Sequence, residues 1–208
     1  MYTAMIVDDH PFIRASVSLL LEQQRVHVVA EAESGREAVQ LAREHRPDLA
    51  IVDLSMPQLD GLAAIQRLKL LDLPMRILVL TSQPAEFYSI RCMRAGAMGY
   101  VSKRDDLAEL RNAVQAVLGG FHYFPNVTHS SVNRHEMRSN ERELLASLSD
   151  RELMVLHHLA RGFNNKDTAA NLALSIKTVS SYKHRLLTKL KVSSLVALAD
   201  IAKRHALS

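Results

Sequence analysis

The amino-acid sequence predicts an α/β domain with a five-stranded, doubly wound parallel sheet, followed by a small all-α domain of four helices. Three features of the sequence lead to this prediction. Short apolar runs alternate with longer helix-period segments up to about residue 120. These runs are almost continuously apolar, which is typical of strands buried on both faces. After about residue 147 the helical period is sustained and no convincing strand remains.

The first domain consists of repeated β-α units. Its predicted strands cover residues 4–7, 26–30, 49–52, 76–80 and 98–101. Capping-box patterns mark two of the helix starts, with "SGRE" at Ser34 and "DLAE" at Asp106. Five such units within about 120 residues predict an open sheet of the flavodoxin-like kind.

A linker is predicted between the two domains. Residues 121–146 contain turn formers, Ser and Asn and have no sustained period, although "NERELLASL" could add a turn or two of helix. The predicted domains are therefore residues 1–120 and 147–208. Helix starts in the second domain are expected at Ser149, Asn164 or Asn165, Ser175, and Ser193 or Ser194, with Gly162 as a stop signal.

Composition restricts the class of protein. The chain has 208 residues, of which 48% are hydrophobic and 23% are charged, as in soluble globular proteins. Cys92 is the only cysteine, which excludes an internal disulfide and a multi-cysteine metal site. No apolar stretch approaches the roughly 18 residues of a membrane span, and no basic leader is visible. We expect a soluble cytoplasmic protein that has no membrane partner.

Positive charge is concentrated in the second half. Residues 1–120 contain 13 Lys and Arg against 15 Asp and Glu, whereas residues 121–208 contain 13 against 7. A basic C-terminal part indicates a polyanionic partner, with nucleic acid as the first candidate. Charge alone leaves open the alternative of a basic, solvated surface.

Polar side chains stand at or just beyond the ends of several predicted strands. Asp8 and Asp9 follow the first strand, Asp53 the third and Thr81 the fourth, and Lys103 lies just beyond the fifth. In a doubly wound sheet these ends meet at the ligand-binding edge. Crowded carboxylates favour a cation such as Mg²⁺, and an Asp can act as a nucleophile toward phosphorus. Each residue alone is more often a cap or a turn former, so the prediction depends on their combination.

The same segments resemble a known family. "MIVDDH", "IVDLSMPQLDG", "VLTS" and "GAMGYVSK" are similar to the receiver domain of two-component response regulators over residues 1 to about 120, and Pro57 and Asp60-Gly61 also fit. The resemblance implies that Asp53 accepts a phosphoryl group from a sensor histidine kinase, including the hybrid phosphorelay type, in a Mg²⁺-dependent reaction.

The resemblance also assigns roles around Asp53. It implies that Asp9 and Asp53 ligate Mg²⁺ directly, that Asp8 acts mainly through water, and that the Ser55 backbone carbonyl completes the protein ligands. It further implies a phosphoryl contact from Lys103 and a conformational switch formed by Thr81 and Tyr100. An ordinary aromatic residue of the sheet remains the alternative interpretation of Tyr100.

A two-sided helix is predicted over "SIKTVSSYKHRLLTKL". A wheel of about 100° per residue places Val179, Leu186 and Leu190 on one side. The other side carries cations and hydrogen-bonding groups: Lys177, Ser181, His184 and Thr188, with Ser180 and Arg185 flanking them. No Asp or Glu occurs between Asp167 and Asp200, which suits a phosphate-lined groove. A small helical bundle with a solvated basic helix is the alternative.

Residues 147 to about 206 resemble the LuxR-type helix-turn-helix of the NarL/FixJ family, most specifically in "NNKDTAANLALSIKTVSSYKHRLLTKL". The resemblance implies phosphate contacts from Lys177, Thr178, Tyr182 and Arg185, base-edge contacts from Ser180, Ser181 and His184, and a dimer-forming helix with Leu195, Val196 and Ala199. Family members with Lys at the base-facing positions differ from this chain, which leaves its sequence preference open. "HYFP" and the C-terminal tail look most like the BvgA/EvgA-type subgroup.

Together these features predict a phosphorylation-controlled transcription regulator. Its expected partners are the kinase, double-stranded promoter DNA, a second copy of the chain when phosphorylated, and RNA polymerase. A phosphatase is one alternative, but Ser55 stands where a second acid would act two residues after Asp53. A ligand-sensing LuxR-type regulator is the other, and it would need a roomy apolar pocket instead of polar strand ends.

Overall fold

A computed structural model describes residues 1–56, 61–125 and 136–207 of the protein, and from residue 141 onward it also describes the side chains of the last range. The chain divides into two compact units, Met1–Asn126 and Val127–Ser208. Each unit is described separately below.

The N-terminal unit is the predicted α/β domain. Five strands pair in parallel in the order β2-β1-β3-β4-β5, which confirms the doubly wound sheet. The strands are β1 (Tyr2–Val7), β2 (Val26–Ala32), β3 (Leu49–Val52), β4 (Arg76–Thr81) and β5 (Gly99–Ser102). The helices are α1 (Pro11–Gln23), α2 (Gly35–His45), α3 (Gly61–Lys69), α4 (Ala85–Ala95) and α5 (Leu107–Leu118).

Burial of the strands follows from their position in the sheet. All four residues of the central strand β3 are buried, whereas the edge strand β2 is half-exposed along most of its length. Helices α1 and α5 pack side chains such as Val17, Leu21 and Val114 against this sheet. Because all four consecutive residues of β3 are buried, its apolar run reflects a strand covered on both faces, whereas the run of β2 belongs to a partly exposed edge.

Strand order reverses at β1, which lies between β2 and β3. Val7 of β1 is in register with Val52 of β3, so Asp8 and Asp53 follow directly at the carboxyl ends of adjacent strands. The Asp53 N–H donates to the Val7 carbonyl at 2.8 Å, which extends this pairing by one residue. Ligands of open α/β sheets bind in the crevice at such a reversal point.

The C-terminal unit is helical in its described part. Its helices are α6 (Glu136–Ala146), α7 (Asp150–Ala160), α8 (Asn165–Asn171), α9 (Ile176–Lys189) and α10 (Leu195–Arg204). The four predicted starts are found at Ser149, Asn164, Ser175 and Ser194, whose side chains accept hydrogen bonds from backbone N–H groups of the following turn. Gly162, with a φ of +89°, follows the end of α7 and is the predicted stop signal.

Helix α6 lies inside the segment predicted as a linker. It has 11 residues, although the sequence indicated only a turn or two of helix. Contacts far along the chain explain the difference, because Leu145 and Leu148 are buried and Glu141 pairs with Arg204 and His205 near the C-terminus. The predicted linker boundaries at residues 121 and 146 stay a prediction.

Another part of that predicted linker continues the first unit. Tyr123 donates its N–H to the Met98 carbonyl at 2.9 Å and accepts the Tyr100 N–H at 2.7 Å. The segment after α5 is thereby hydrogen-bonded to β5. Within the described ranges, no helix has the length and apolar character needed to cross a membrane.

Candidate functional site

Two buried carboxylates and one ammonium group meet at the strand reversal. Asp8 and Asp53 are each only 2% exposed. The Lys103 Nζ lies 2.7 Å from Asp8 Oδ2 and 2.8 Å from Asp53 Oδ2, so one lysine bridges both acids. The backbone places Lys103 there, since its N–H donates to the Thr81 carbonyl at 2.8 Å. Buried charges require such compensation, and the bridge supplies it.

Backbone donors satisfy the other carboxylate oxygens. Asp53 Oδ1 accepts the Leu54 N–H at 2.7 Å, and Asp8 Oδ1 accepts the His10 N–H at 2.9 Å. Burial by itself would lower the pKa of Lys103, but the carboxylates of Asp53 and Asp8 hold that pKa above its ordinary value. Lys103 therefore remains a cation at neutral pH.

The acidic cluster fits a divalent cation. One ligand atom from each of Asp8, Asp9, His10 and Asp53 lies within 4.8 Å of the others. Asp9 Oδ1 is buried and has no hydrogen-bond partner in the described residues, although the His10 Nδ1 approaches to 2.8 Å and pairs with it as an ion pair when protonated. A carboxylate oxygen without a donor is what a cation with oxygen ligands would complete.

His10 did not stand out in the sequence. It occupies the N-cap position of α1, directly before Pro11, where a polar residue is ordinary. The sequence did not indicate Arg14 either. In the structure this side chain is only 9% exposed and donates from Nη1 to the Asp8 carbonyl at 2.8 Å. Its other guanidinium nitrogens pair with Glu31 and Glu33 on the β2 side, and these contacts hold the chain around Asp8 in place.

The segment after Asp53 approaches α3 closely. The Gly61 N–H donates to the Leu54 carbonyl at 3.2 Å. A Cβ at Gly61 would collide with the Asp53 carbonyl oxygen and lie 2.5 Å from Leu54 Cα, so only glycine fits there. Ser55, whose carbonyl the resemblance implies as a ligand, accepts a hydrogen bond from Gln83 on its Oγ at 2.9 Å. Pro57 and Asp60 lie outside the described residues.

Thr81 and Tyr100 are connected through Gln83. Thr81 is fully buried at the end of β4, and its Oγ1 accepts the Gln83 N–H at 3.4 Å. The Tyr100 ring is 2% exposed and its hydroxyl donates to the Gln83 carbonyl at 2.6 Å. Burial raises the pKa of Tyr100, so the hydroxyl keeps its proton. Gln83 is a link that sequence reasoning missed, because nothing in "TSQP" distinguishes it from a turn residue.

Helix α9 has the two sides that the wheel predicts. Val179 and Leu186 are fully buried and Leu190 is nearly so. The opposite side is open to solvent and carries Lys177, Ser180, Ser181, His184, Arg185 and Thr188, while Thr178 and Tyr182 are half-buried. The Arg185 guanidinium stacks over the Tyr182 ring at 5.7 Å, which keeps this cation close to the helix surface.

Two contacts hold α9 against the neighbouring helices. The Asn165 Nδ2 of α8 donates to Ser180 Oγ at 3.1 Å. At the other end, Lys189 Nζ lies 2.7 Å from the buried Glu152 carboxylate of α7. The turn between α8 and α9 is tight, since Ala173 has a φ of +52°. Close packing buries Ala169 in α8, whereas its neighbour Ala170 is exposed.

The exposed face of α10 begins with apolar residues. Leu195 is 39% exposed and Val196 is 71% exposed, whereas Ala199 is half-buried. Such residues at the start of a helix are available for a contact with another chain.

Comparison with known proteins agrees with both units. Residues 4–115 match the family described as "Response regulator receiver domain", and residues 146–202 match "Bacterial regulatory proteins, luxR family". A putative transcriptional regulator of Pseudomonas aeruginosa is 50% identical over 100% of both chains. The virulence factors putative positive transcription regulator BvgA of Bordetella pertussis is 45% identical over 98% of both chains, which supports the predicted subgroup.

A solved structure extends the comparison to three dimensions. RcsB from Salmonella enterica serovar Typhimurium, bound to promoter rprA in the presence of the phosphomimetic BeF3-, is 26% identical, with a TM-score of 0.70 over 98% of both chains. Because residues 4–115 match a receiver domain, the alternative of a ligand-sensing N-terminal domain is wrong. The chain thus belongs to the two-component response regulators of the NarL/FixJ type and is a phosphorylation-controlled transcriptional regulator.

Proposed function

We propose that Asp53 carries the phosphoryl group and that Asp8, Asp9 and the Ser55 carbonyl hold Mg²⁺ together with it. The observation that carries the proposal is the Lys103 bridge between Asp8 and Asp53. An ammonium group 2.8 Å from an Asp53 oxygen stands where an oxygen of an attached phosphoryl group would need a counter-charge.

The proposed transfer is a nucleophilic substitution at phosphorus. An Asp53 carboxylate oxygen attacks the phosphorus of a kinase phosphohistidine, a P–O bond forms, the P–N bond breaks, and the imidazole leaves with its electron pair and takes up a proton. Mg²⁺, when bound, supplies the charge that neutralises the phosphoryl oxygens. Turnover is confined to the chain's own phosphoaspartate, which makes the domain a regulatory acceptor rather than an enzyme acting on a free substrate.

We propose that Gln83 transmits the change at Asp53 to Tyr100. The Thr81 hydroxyl has a proton to donate to a phosphoryl oxygen, and moving toward that oxygen alters its contact with the Gln83 N–H. The Gln83 carbonyl in turn accepts the Tyr100 hydroxyl, so the Thr81 and Tyr100 side chains are both hydrogen-bonded to the Gln83 backbone. Phosphorylation then shifts the population between two arrangements of the β4–α4 segment and β5.

Promoter DNA is the proposed partner of the exposed side of α9. Support comes from the absence of acids between residues 167 and 200 and from the promoter-bound RcsB relative. We assign phosphate contacts to Lys177, Thr178, Tyr182 and Arg185, and base-edge contacts to Ser180, Ser181 and His184. Leu195, Val196 and Ala199 are the proposed dimer contact, which would pair two recognition helices on an inverted repeat in the cytoplasm. RNA polymerase is a further proposed partner.

The acceptor assignment is tested by labelling the full chain with acetyl phosphate. We expect Mg²⁺-dependent labelling of the wild type and none of Asp53→Asn. Asp72→Asn is the matched control, because Asp72 is exposed and far along the chain from the acidic cluster. Undiminished labelling of Asp53→Asn would refute the assignment of Asp53.

A further inference from the structure

We propose that Asn165 directs the Ser180 hydroxyl proton away from α8 and toward DNA, so that Ser180 favours base edges that carry acceptors. This inference rests on the proposed DNA-binding function of α9 and adds to it a residue on α8 that determines sequence preference.

The contact joins two different helices. Ser180 is exposed on the second turn of α9, and Asn165 is half-buried at the first residue of α8. The Asn165 Nδ2 donates to Ser180 Oγ over 3.1 Å. The start of α8 is itself held in place, because the Asn164 side chain accepts the N–H groups of Lys166 and Asp167 at 2.9 Å each. Asn165 therefore approaches Ser180 from a fixed position.

A serine hydroxyl has one proton and two lone pairs. When a lone pair of Ser180 accepts from the Asn165 amide, the hydroxyl proton must point away from that amide. The solvent-facing side of Ser180 then offers the proton and one remaining lone pair, and the bond accepted from Asn165 polarises the hydroxyl so that it is the better donor. Without Asn165 the hydroxyl rotates and serves as donor or acceptor equally, which is why serine by itself is a permissive reader of bases.

The neighbouring serine has the opposite polarity. Ser181 Oγ donates its proton to the Lys177 carbonyl of its own helix at 3.1 Å, so only lone pairs remain to face outward. Thr188 does the same with the His184 carbonyl at 3.1 Å. Ser180 is thus distinguished from these two hydroxyls by a partner on another helix, and the α9 surface presents a donor beside acceptors.

Base edges in the major groove discriminate between these polarities. Guanine and thymine present acceptors there, cytosine presents an amino donor, and adenine presents one of each. We expect the base that faces Ser180 to be guanine or thymine in preference to cytosine, by at most about fivefold, which is the value of one net hydrogen bond.

The test is selection of bound sequences from a random DNA pool by the full, phosphodonor-treated chain. Ser180→Ala identifies the base position that Ser180 reads, as the one where preference is lost. Asn165→Asp replaces the amide donor with a carboxylate that only accepts, which forces Ser180 to donate inward. We expect the preference at that position to move toward cytosine or adenine. Asn165→Ala should only flatten it.

Asn164→Asp is the matched control for charge. It adds the same negative charge one residue earlier and keeps an N-cap residue, and the bond that it removes, from Asn164 Nδ2 to the Asp167 carboxylate, does not involve Ser180. We expect weaker binding with unchanged base preference. The double variant Asn165→Asp, Ser180→Ala should show the same preference as Ser180→Ala alone.

Several results would overturn the inference. These are a wild-type preference for cytosine at the Ser180 position, equal preferences in Asn165→Asp and Asn164→Asp, or a shift by Asn165→Asp that persists without the Ser180 hydroxyl. If Asn165→Asp does not fold, an Asn165→Ala variant with undiminished preference overturns it as well. A wild type that selects no sequence removes the DNA-binding proposal too, whereas unchanged selection by the variants removes only the role of Asn165.

Discussion

Single residues around Asp53 are held by burial and by close backbone contacts. Asp8, Asp53 and Lys103 were predictable from the sequence because each stands at or just beyond the end of a strand. Their pairing was not, since no pattern indicates that one ammonium would lie within 2.8 Å of both acids. His10 and Arg14 were missed for the same reason. Arg14 pairs with Glu31 and Glu33, which only the fold brings close to it, and no sequence pattern marks the contact of His10 with Asp9.

Gly61 offers a direct test of this geometry. Gly61→Ala places a methyl group against the backbone of Asp53 and Leu54, so α3 or the acceptor segment must move. We expect a loss of about 1–3 kcal/mol in the free energy of unfolding and a lower rate of labelling by acetyl phosphate. Denaturant titration and labelling kinetics provide the two measurements.

Gly119→Ala is the control for that substitution. Gly119 has a helical φ of −76°, and an added Cβ there would meet its neighbours no closer than 3.3 Å. We expect wild-type labelling from this variant. Wild-type labelling from Gly61→Ala as well would show that the close approach of α3 does not shape the acceptor site.

Among the elements, the starts of the four C-terminal helices were predicted correctly, whereas the full length of α6 was not. Ser149, Asn164 and Ser175 are caps, and capping depends on a few adjacent residues that the sequence displays directly. Helix α6 depends instead on contacts with residues about 60 positions later, such as Glu141 with Arg204. Local patterns carry no information on such contacts, so the sequence showed only a weak helical tendency there.

The β4–α4 segment is the element proposed to respond to phosphorylation. Tyr100→Phe keeps the buried ring and removes only the hydroxyl that donates to the Gln83 carbonyl. We expect a cost of about 1–3 kcal/mol in the free energy of unfolding, because a buried carbonyl loses a hydrogen bond. Labelling of Asp53 should persist, while the gain in DNA affinity on phosphorylation should decrease.

Tyr123→Phe is the matched variant, since it also removes one tyrosine hydroxyl, and that hydroxyl donates to Glu109. DNA affinity measured with and without phosphodonor separates the two variants. A full response to phosphorylation in Tyr100→Phe would contradict the proposed link through Gln83.

Helices α7 and α9 are joined by an ion pair whose strength depends on pH. Burial would raise the pKa of Glu152, but hydrogen bonds from Lys189 and Ser149 hold that pKa below its ordinary value. A carboxyl group with a lowered pKa stabilises the fold above its unfolded pKa and loses this contribution as the pH falls through the folded value. We expect Glu152→Gln to cost about 1–3 kcal/mol at pH 7.

The pH dependence distinguishes the pair from simple packing. The difference in unfolding free energy between wild type and Glu152→Gln should decrease as the pH falls below the ordinary glutamate value of 4.5. Glu143→Gln, at an exposed position of α6, is the control and should have little effect at any pH. A difference that is constant from pH 7 to pH 3 would exclude the ion pair as the cause.

For the whole molecule, the charge difference between the two halves of the sequence predicted that the C-terminal unit binds nucleic acid. The basic excess of residues 121–208 agrees with a match to a DNA-binding family over residues 146–202. How phosphorylation in one unit affects the other was not predictable, because no sequence pattern describes contacts that form only in one state.

The DNA-binding surface of the whole regulator is tested by salt dependence. Lys177→Ala removes a proposed phosphate contact, so binding should weaken on all sequences and the slope of log affinity against log salt should fall by about 0.9. His184→Ala, on the exposed side of the same helix, should change the preference between sites and leave the slope unchanged. Equal, sequence-independent losses from both variants would contradict the proposed orientation of α9.

The central claim is that the phosphorylation state of Asp53 controls DNA binding. Its most direct test is the affinity of the full chain for a selected inverted-repeat site, with and without acetyl phosphate and Mg²⁺, in wild type and Asp53→Asn. We predict that the phosphodonor increases the affinity of the wild type and has no effect on Asp53→Asn. An equal increase in both proteins, or no increase in fully phosphorylated wild type, would contradict the claim.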